Sequence, residues 1–379
     1  MKKLLAIVLV LSLAVVMLAC GNTTEPTGET AGETTAATTE KATEKTTKAT
    51  EPATEPEETE PEETTTEEPA VELEPYTDAT VVYLASDGKG NGSAPDQATD
   101  TLNKALDCLD LSKDCTVVVS GYYLQDAAFV YTETFDGSVT ITSVYDGVDY
   151  REKGAEYQPM AVRFVCSGEY VFRDLKLNLL GDFFFIIANH YPITVDTGVS
   201  VSSLSLNFDG SSFAKAFGIL GGYQNGQPVI VDGEQPPVES DAPVNITVNS
   251  GINFSIGAYS RQIDGAAHTG ESVINIGGDA VVTRLYLTPC NKPYTCGNVT
   301  VNVTDNATVT NIYGATAVGT ADGATINWMG GSIGMYADIL QEGYEYNTTN
   351  GVHLVHSEAV KADPNFETVC ADFDSVTQK

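Results

Sequence analysis

The chain has 379 residues, a net charge of −33 and seven cysteines, and 42% of its residues are hydrophobic. So acidic a composition excludes nucleic acid as a partner, because nucleic acid demands a basic footprint, and it makes an anionic polymer a poor ligand unless cations bridge it. Neutral glycans suit the field better.

Lys2 and Lys3 precede an apolar run over residues 4–18, and Met17-Leu18-Ala19-Cys20 closes that run with a small residue before cysteine. This order is a signal peptide, and the run is shorter than the roughly 20 apolar residues of a spanning helix. The cleavage site resembles the lipobox of bacterial lipoproteins, with Met17 where that family more often has leucine. The resemblance implies removal of residues 1–19, diacylglycerylation of the Cys20 thiol and anchoring to the membrane through two acyl chains.

Residues 20–75 are Thr, Glu, Pro and Ala with almost nothing apolar to bury, which predicts a disordered stalk. Prolines at 52, 56, 61, 69 and 75 favour extended geometry, and sixteen glutamates against three lysines make the segment repel itself. Similar Thr/Glu/Pro stalks occur in Gram-positive surface lipoproteins. The expected location is therefore the extracellular face of a bacterial, Gram-positive cell membrane.

From residue 76 to 379 the composition turns to Val, Ile, Thr, Tyr, Asn and Gly in short alternating runs, which reads as all-β. The second half repeats. Runs such as Val244-Asn245-Ile246-Thr247-Val248, Val273-Ile274-Asn275-Ile276 and Val299-Thr300-Val301-Asn302-Val303 each enter a Gly/Asn/Asp turn. Aligning Ile276, Val303 and Ile326 gives steps of 27 and 23 residues, with Tyr286, Tyr313 and Tyr336 each ten residues further on. Tyr259 follows Val248 by eleven. A period in the twenties predicts a β-solenoid rather than a sandwich or a propeller, whose repeats are shorter or longer.

The N-terminal part of the domain combines a strand at residues 80–84, a Gly-rich loop from Asp87 to Pro95, and a short helix with Leu102, Ala105, Leu106 and Leu109 on one face. Asp100 or Thr101 is its expected N-cap. This module resembles the start of right-handed parallel β-helix proteins of the pectate-lyase-like superfamily. The resemblance implies a right-handed parallel β-helix with an N-terminal capping helix, in a superfamily of lyases, glycoside hydrolases, epimerases and non-catalytic surface proteins.

Six cysteines remain besides Cys20, an even number that allows three disulfides in an exported chain. The short separations favour Cys108 with Cys115 and Cys290 with Cys296. No CxxC spacing occurs, Lys89 and Ala98 spoil a calcium loop beginning at Asp87, and His353 with His356 lacks a third ligand. Neither a metal nor a cofactor is expected. For catalysis the best set is Arg261, Asp264 and His268 in a loop between repeats. For binding it is Tyr259, Tyr286, Tyr313 and Tyr336, which form either an aromatic strip on one outer face or a structural ladder. The expected function is a surface-displayed β-helix that binds neutral polysaccharide or a cell-surface protein without catalysis. A polysaccharide lyase or glycoside hydrolase is the alternative, and a structural adhesin or spacer the third.

Overall fold

The structure is a computed structural model. It describes residues 74–160, 163–180, 183–202, 204–206, 212–214, 216–222, 241–252, 254–259, 266–288, 294–314, 319–337, 346–348 and 350–379.

Strict alternation sends every second side chain of a strand inward. In Val244–Val248, Val244, Ile246 and Val248 are buried, while Asn245 and Thr247 point outward. Neighbouring strands are parallel and in register, so an outward position in one coil stacks on an outward position in the next. One such column runs Thr247, Asn275, Asn302, Asn327, Val355, with steps of 28, 27, 25 and 28 residues. A second runs beside it through Asn245, Val273, Thr300, Thr325 and His353. These steps are the coil length, and the fold is an all-β solenoid.

Among the described residues three parallel sheets of 13, 8 and 4 strands carry the stack, each an open path rather than a closed barrel. Val81–Leu84 begins the largest and Ser375–Gln378 ends it. Among the described residues antiparallel pairing is confined to two short pairs, Val144–Tyr145 with Val148–Asp149 and Leu204–Leu206 with Ser212–Ala214. The chain turns from the 13-stranded to the 8-stranded sheet through left-handed residues: Gly278 at φ 56°, Asp305 at 54° and Gly331 at 67°. Asp305 tolerates this conformation because its carboxylate accepts from Thr304 Oγ1 and from the Gly278 amide, both at 3.0 Å.

The interior is filled by columns too. Phe184, Phe217 and Phe254 are in-register partners, with ring centroids 5.4 and 4.8 Å apart. Near the start of the stack the helix Leu102–Asp107 buries Leu102, Ala105 and Leu106, and the Thr101 hydroxyl caps it by accepting from the Lys104 amide.

The register corrects one alignment made from sequence. Val303 pairs with Trp328, not Ile326, so the last step is 25 residues rather than 23. Alternation alone leaves a two-residue slip undetected, because it returns the same inward pattern.

Phe217 lies in the middle of the aromatic column and is fully buried. Phe217→Ala is expected to remove about 3–5 kcal/mol of stability. Urea unfolding should show a lower midpoint at unchanged slope.

Candidate functional site

The four tyrosines do not share a face. Tyr286 and Tyr313 are direct partners, half-buried and pointing outward from the 8-stranded sheet, with rings stacked 5.1 Å apart at 27°. Tyr336 is opposite Ile312, one position before Tyr313, so it points inward, 4% exposed, against Phe373. Tyr259 lies past the end of its strand and is 2% exposed, its hydroxyl donating to the carbonyls of Gly270 and Asn298. Two residues therefore form an outward pair, and two belong to the core.

Register explains what surrounds the pair. Its column reads Gly257, Tyr286, Tyr313, Ala337, so the pair has small residues on either side within the column. The adjoining column carries Arg284, Asn311 and Met335. The Asn311 amide is fixed by donating to the Thr283 carbonyl at 3.0 Å. Burial pushes the Tyr313 phenol up, and the Arg284 guanidinium pulls it partly back. A stacked aromatic pair flanked by a cation and an amide has the amphipathic character that sugar rings require, apolar faces beside hydrogen-bonding groups.

Of the proposed catalytic set, Arg261 and Asp264 lie outside the described residues, as do Cys20 and Cys290. His268 is described, and it is not in an outer loop. It ends the strand Ala266–His268, is 1% exposed and stacks on His190 with centroids 5.4 Å apart. Neither of its ring nitrogens has a hydrogen-bond partner. Burial, with a smaller contribution from His190, lowers its pKa to about 4. A neutral imidazole sealed in the stack cannot reach an external substrate.

The cysteine pairings are corrected as well. Cys108 and Cys115 are free thiols. Cys108 terminates the helix and its Sγ bonds back to the Lys104 carbonyl at 3.1 Å, whereas the buried Cys115 Sγ bonds the Asp110 carbonyl at 3.2 Å. Each thiol is held by its own local backbone, so closeness in sequence does not bring the sulfurs together. Cys296 is likewise free and buried. Among the described residues no three His, Cys, Asp or Glu side chains gather as a metal site. His353 instead bonds Ser375 Oγ at 2.8 Å and the Asn350 carbonyl at 2.7 Å.

One feature escaped sequence reasoning. Beside the helix Leu102–Asp107 lies a cleft of about 400 Å³, lined by Asp100, Asn103, Tyr122, Gln125 and Asp126 among others. Tyr122 is 43% exposed at its rim. Strand alternation separates Tyr122 from the buried Tyr123, but only the packing of helix against strand makes the hollow. Asp100 is neutralised by Lys104 at 2.8 Å, and Gln125 is occupied by the Ala127 and Arg163 carbonyls.

The chain matches no protein-family description, no curated protein and no solved structure.

The buried histidine gives the fold a pH dependence with a definite sign. Its native pKa lies below the ordinary 6.5, so the unfolded chain takes up a proton that the folded chain refuses. The contribution is complete above pH 6.5 and is lost as pH falls toward 4. The loss is on the order of 3 kcal/mol at the acid end. Unfolding free energies measured between pH 7 and 4 should fall less steeply for His268→Leu than for the wild type.

Proposed function

We propose that this chain is a surface lipoprotein, anchored through lipidated Cys20, whose β-solenoid binds neutral glycan without catalysis. The observation that carries the reading is the outward Tyr286–Tyr313 stack, bounded by Gly257 and Ala337 and flanked by Arg284 and Asn311. The paired aromatic rings supply apolar contact for a pyranose ring, and the amide and guanidinium supply hydrogen bonds to its hydroxyls. The acidic charge of the chain works against polyanions and leaves uncharged polymers as the compatible class.

The solenoid is a right-handed parallel β-helix of pectate-lyase-like type, and the helix Leu102–Asp107 closes its N-terminal end against edge pairing. The stalk over residues 20–75 carries the domain away from the bilayer on the outer side of a Gram-positive cell.

Two measurements test this. Cys20→Ala should move the protein from the membrane fraction into the medium, and retention on the membrane would remove the anchoring claim. Titration of the purified protein with soluble neutral polysaccharides should give binding that Tyr286→Ala and Tyr313→Ala each weaken about tenfold, or about 1.4 kcal/mol. Release of new reducing or unsaturated ends from the polysaccharide would replace the non-catalytic reading with an enzymatic one.

A further inference from the structure

The outward face of the 13-stranded sheet differs chemically from the rest of the molecule. In a chain of net charge −33, the two adjoining columns from Val244–Val248 to Val352–His356 hold no Asp, Glu, Lys or Arg among their ten positions. Asn, Thr and Val fill nine of them, and His353 the tenth. One earlier strand of the same sheet carries an outward charge in these columns, at Glu169. From Val244–Val248 onward the two columns are neutral without interruption.

Within it the amides are already oriented. Asn275 Nδ2 donates to Thr247 Oγ1 at 3.3 Å, Asn302 Nδ2 to Asn275 Oδ1 at 2.8 Å, and Asn327 Nδ2 to Asn302 Oδ1 at 2.8 Å. A carboxamide has two N–H donors and two acceptor lone pairs. The ladder engages one donor and one acceptor of Asn302, leaving one of each for an outside partner. All three asparagines are only half-buried. The result is a row of fixed, alternating donors and acceptors repeating at the strand spacing of about 4.8 Å. Because the ladder has already restricted the side chains, a ligand meets little of the ordering cost that free asparagines would impose.

We infer that this face is a second ligand surface, which takes an extended, uncharged β-linked polysaccharide laid along the stacking direction. Hydroxyl groups both donate and accept, as the unused half of each amide requires, and Thr325 adds a hydroxyl in the next column, where that of Thr300 donates to Glu271 Oε1 at 3.5 Å. The advance per sugar of an extended β-1,4-linked chain is close to one strand spacing, so successive sugars meet successive amides. Weak contacts repeated along one chain then sum to useful avidity. This inference rests on the glycan-binding reading but uses a different sheet from the tyrosine pair.

The test uses the full-length protein, with swollen cellulose, chitin and mixed-linkage β-glucan as probes in binding isotherms. Thr325→Glu places a charge on the face while sparing the ladder, and Asn302→Asp removes the donor to Asn275. Both are expected to reduce partition onto at least one probe about tenfold, with Thr325→Glu melting at the wild-type temperature. Retention of most of that binding by Tyr286→Ala would support an independent second face. Wild-type binding by both face variants would overturn the inference, and loss of binding in Tyr286→Ala alone would do so while sustaining the tyrosine site. A wild-type dimer that Thr325→Glu dissociates would assign the face to self-association instead. No binding of the wild type to any neutral polysaccharide would overturn both readings together.

Discussion

Everything in this protein depends on parallel strands stacking in register at about 4.8 Å. Each coil pairs its backbone donors and acceptors with the coils before and after it, and a shift in register is taken up at a bulge, as between Phe254 and Ser255. A solenoid therefore writes its chemistry in columns. Phe184, Phe217 and Phe254 form one inside, and Asn275, Asn302 and Asn327 form one outside, by the same geometry. Interior columns bury apolar area, the main source of stability, while exterior columns repeat whatever group the turns hold in place.

The same rule gives small slips large consequences. Tyr313 and Tyr336 occupy similar places in the sequence pattern, yet a turn shorter by one residue sets Tyr336 opposite Ile312 and turns it from the surface into the core. Inversion of this kind follows from the two-residue period of a strand. It leaves the outward aromatic surface as a pair, bracketed by Gly257 and Ala337.

Burial also redefines the titratable groups. The buried His268 stacks on the half-buried His190, and desolvation favours the neutral imidazole of each. The buried thiols of Cys166 and Cys296 are pushed up in pKa by the same desolvation, which keeps them protonated and unreactive as nucleophiles. Charge is left to the exterior. There ion pairs such as Arg173 with Asp196 at 2.6 Å tie neighbouring coils, while the later coils of the large sheet are free of charge along two columns.

Local pattern was enough to read much of this. Alternation identified the strands, the Gly/Asn/Asp punctuation located the left-handed turns at Gly278, Asp305 and Gly331, and Leu102, Ala105 and Leu106 marked the helix that Thr101 caps. These features depend on residues close in sequence, whose steric and hydrogen-bonding preferences act before any long-range contact forms. What alternation could not decide was which residue of one coil lies over which of the next, since a two-residue slip preserves the same inward and outward pattern. Tertiary stacking decided it. Pairing Val303 with Trp328, stacking His268 on His190 and aligning three asparagines all depend on contacts between coils or on packing about them. By itself the sequence determined an acidic chain whose second half is built of repeating β-coils. Only the stacked structure decided which side chains became core and which became surface, because register is set by the sum of packing across many coils and not by any one of them.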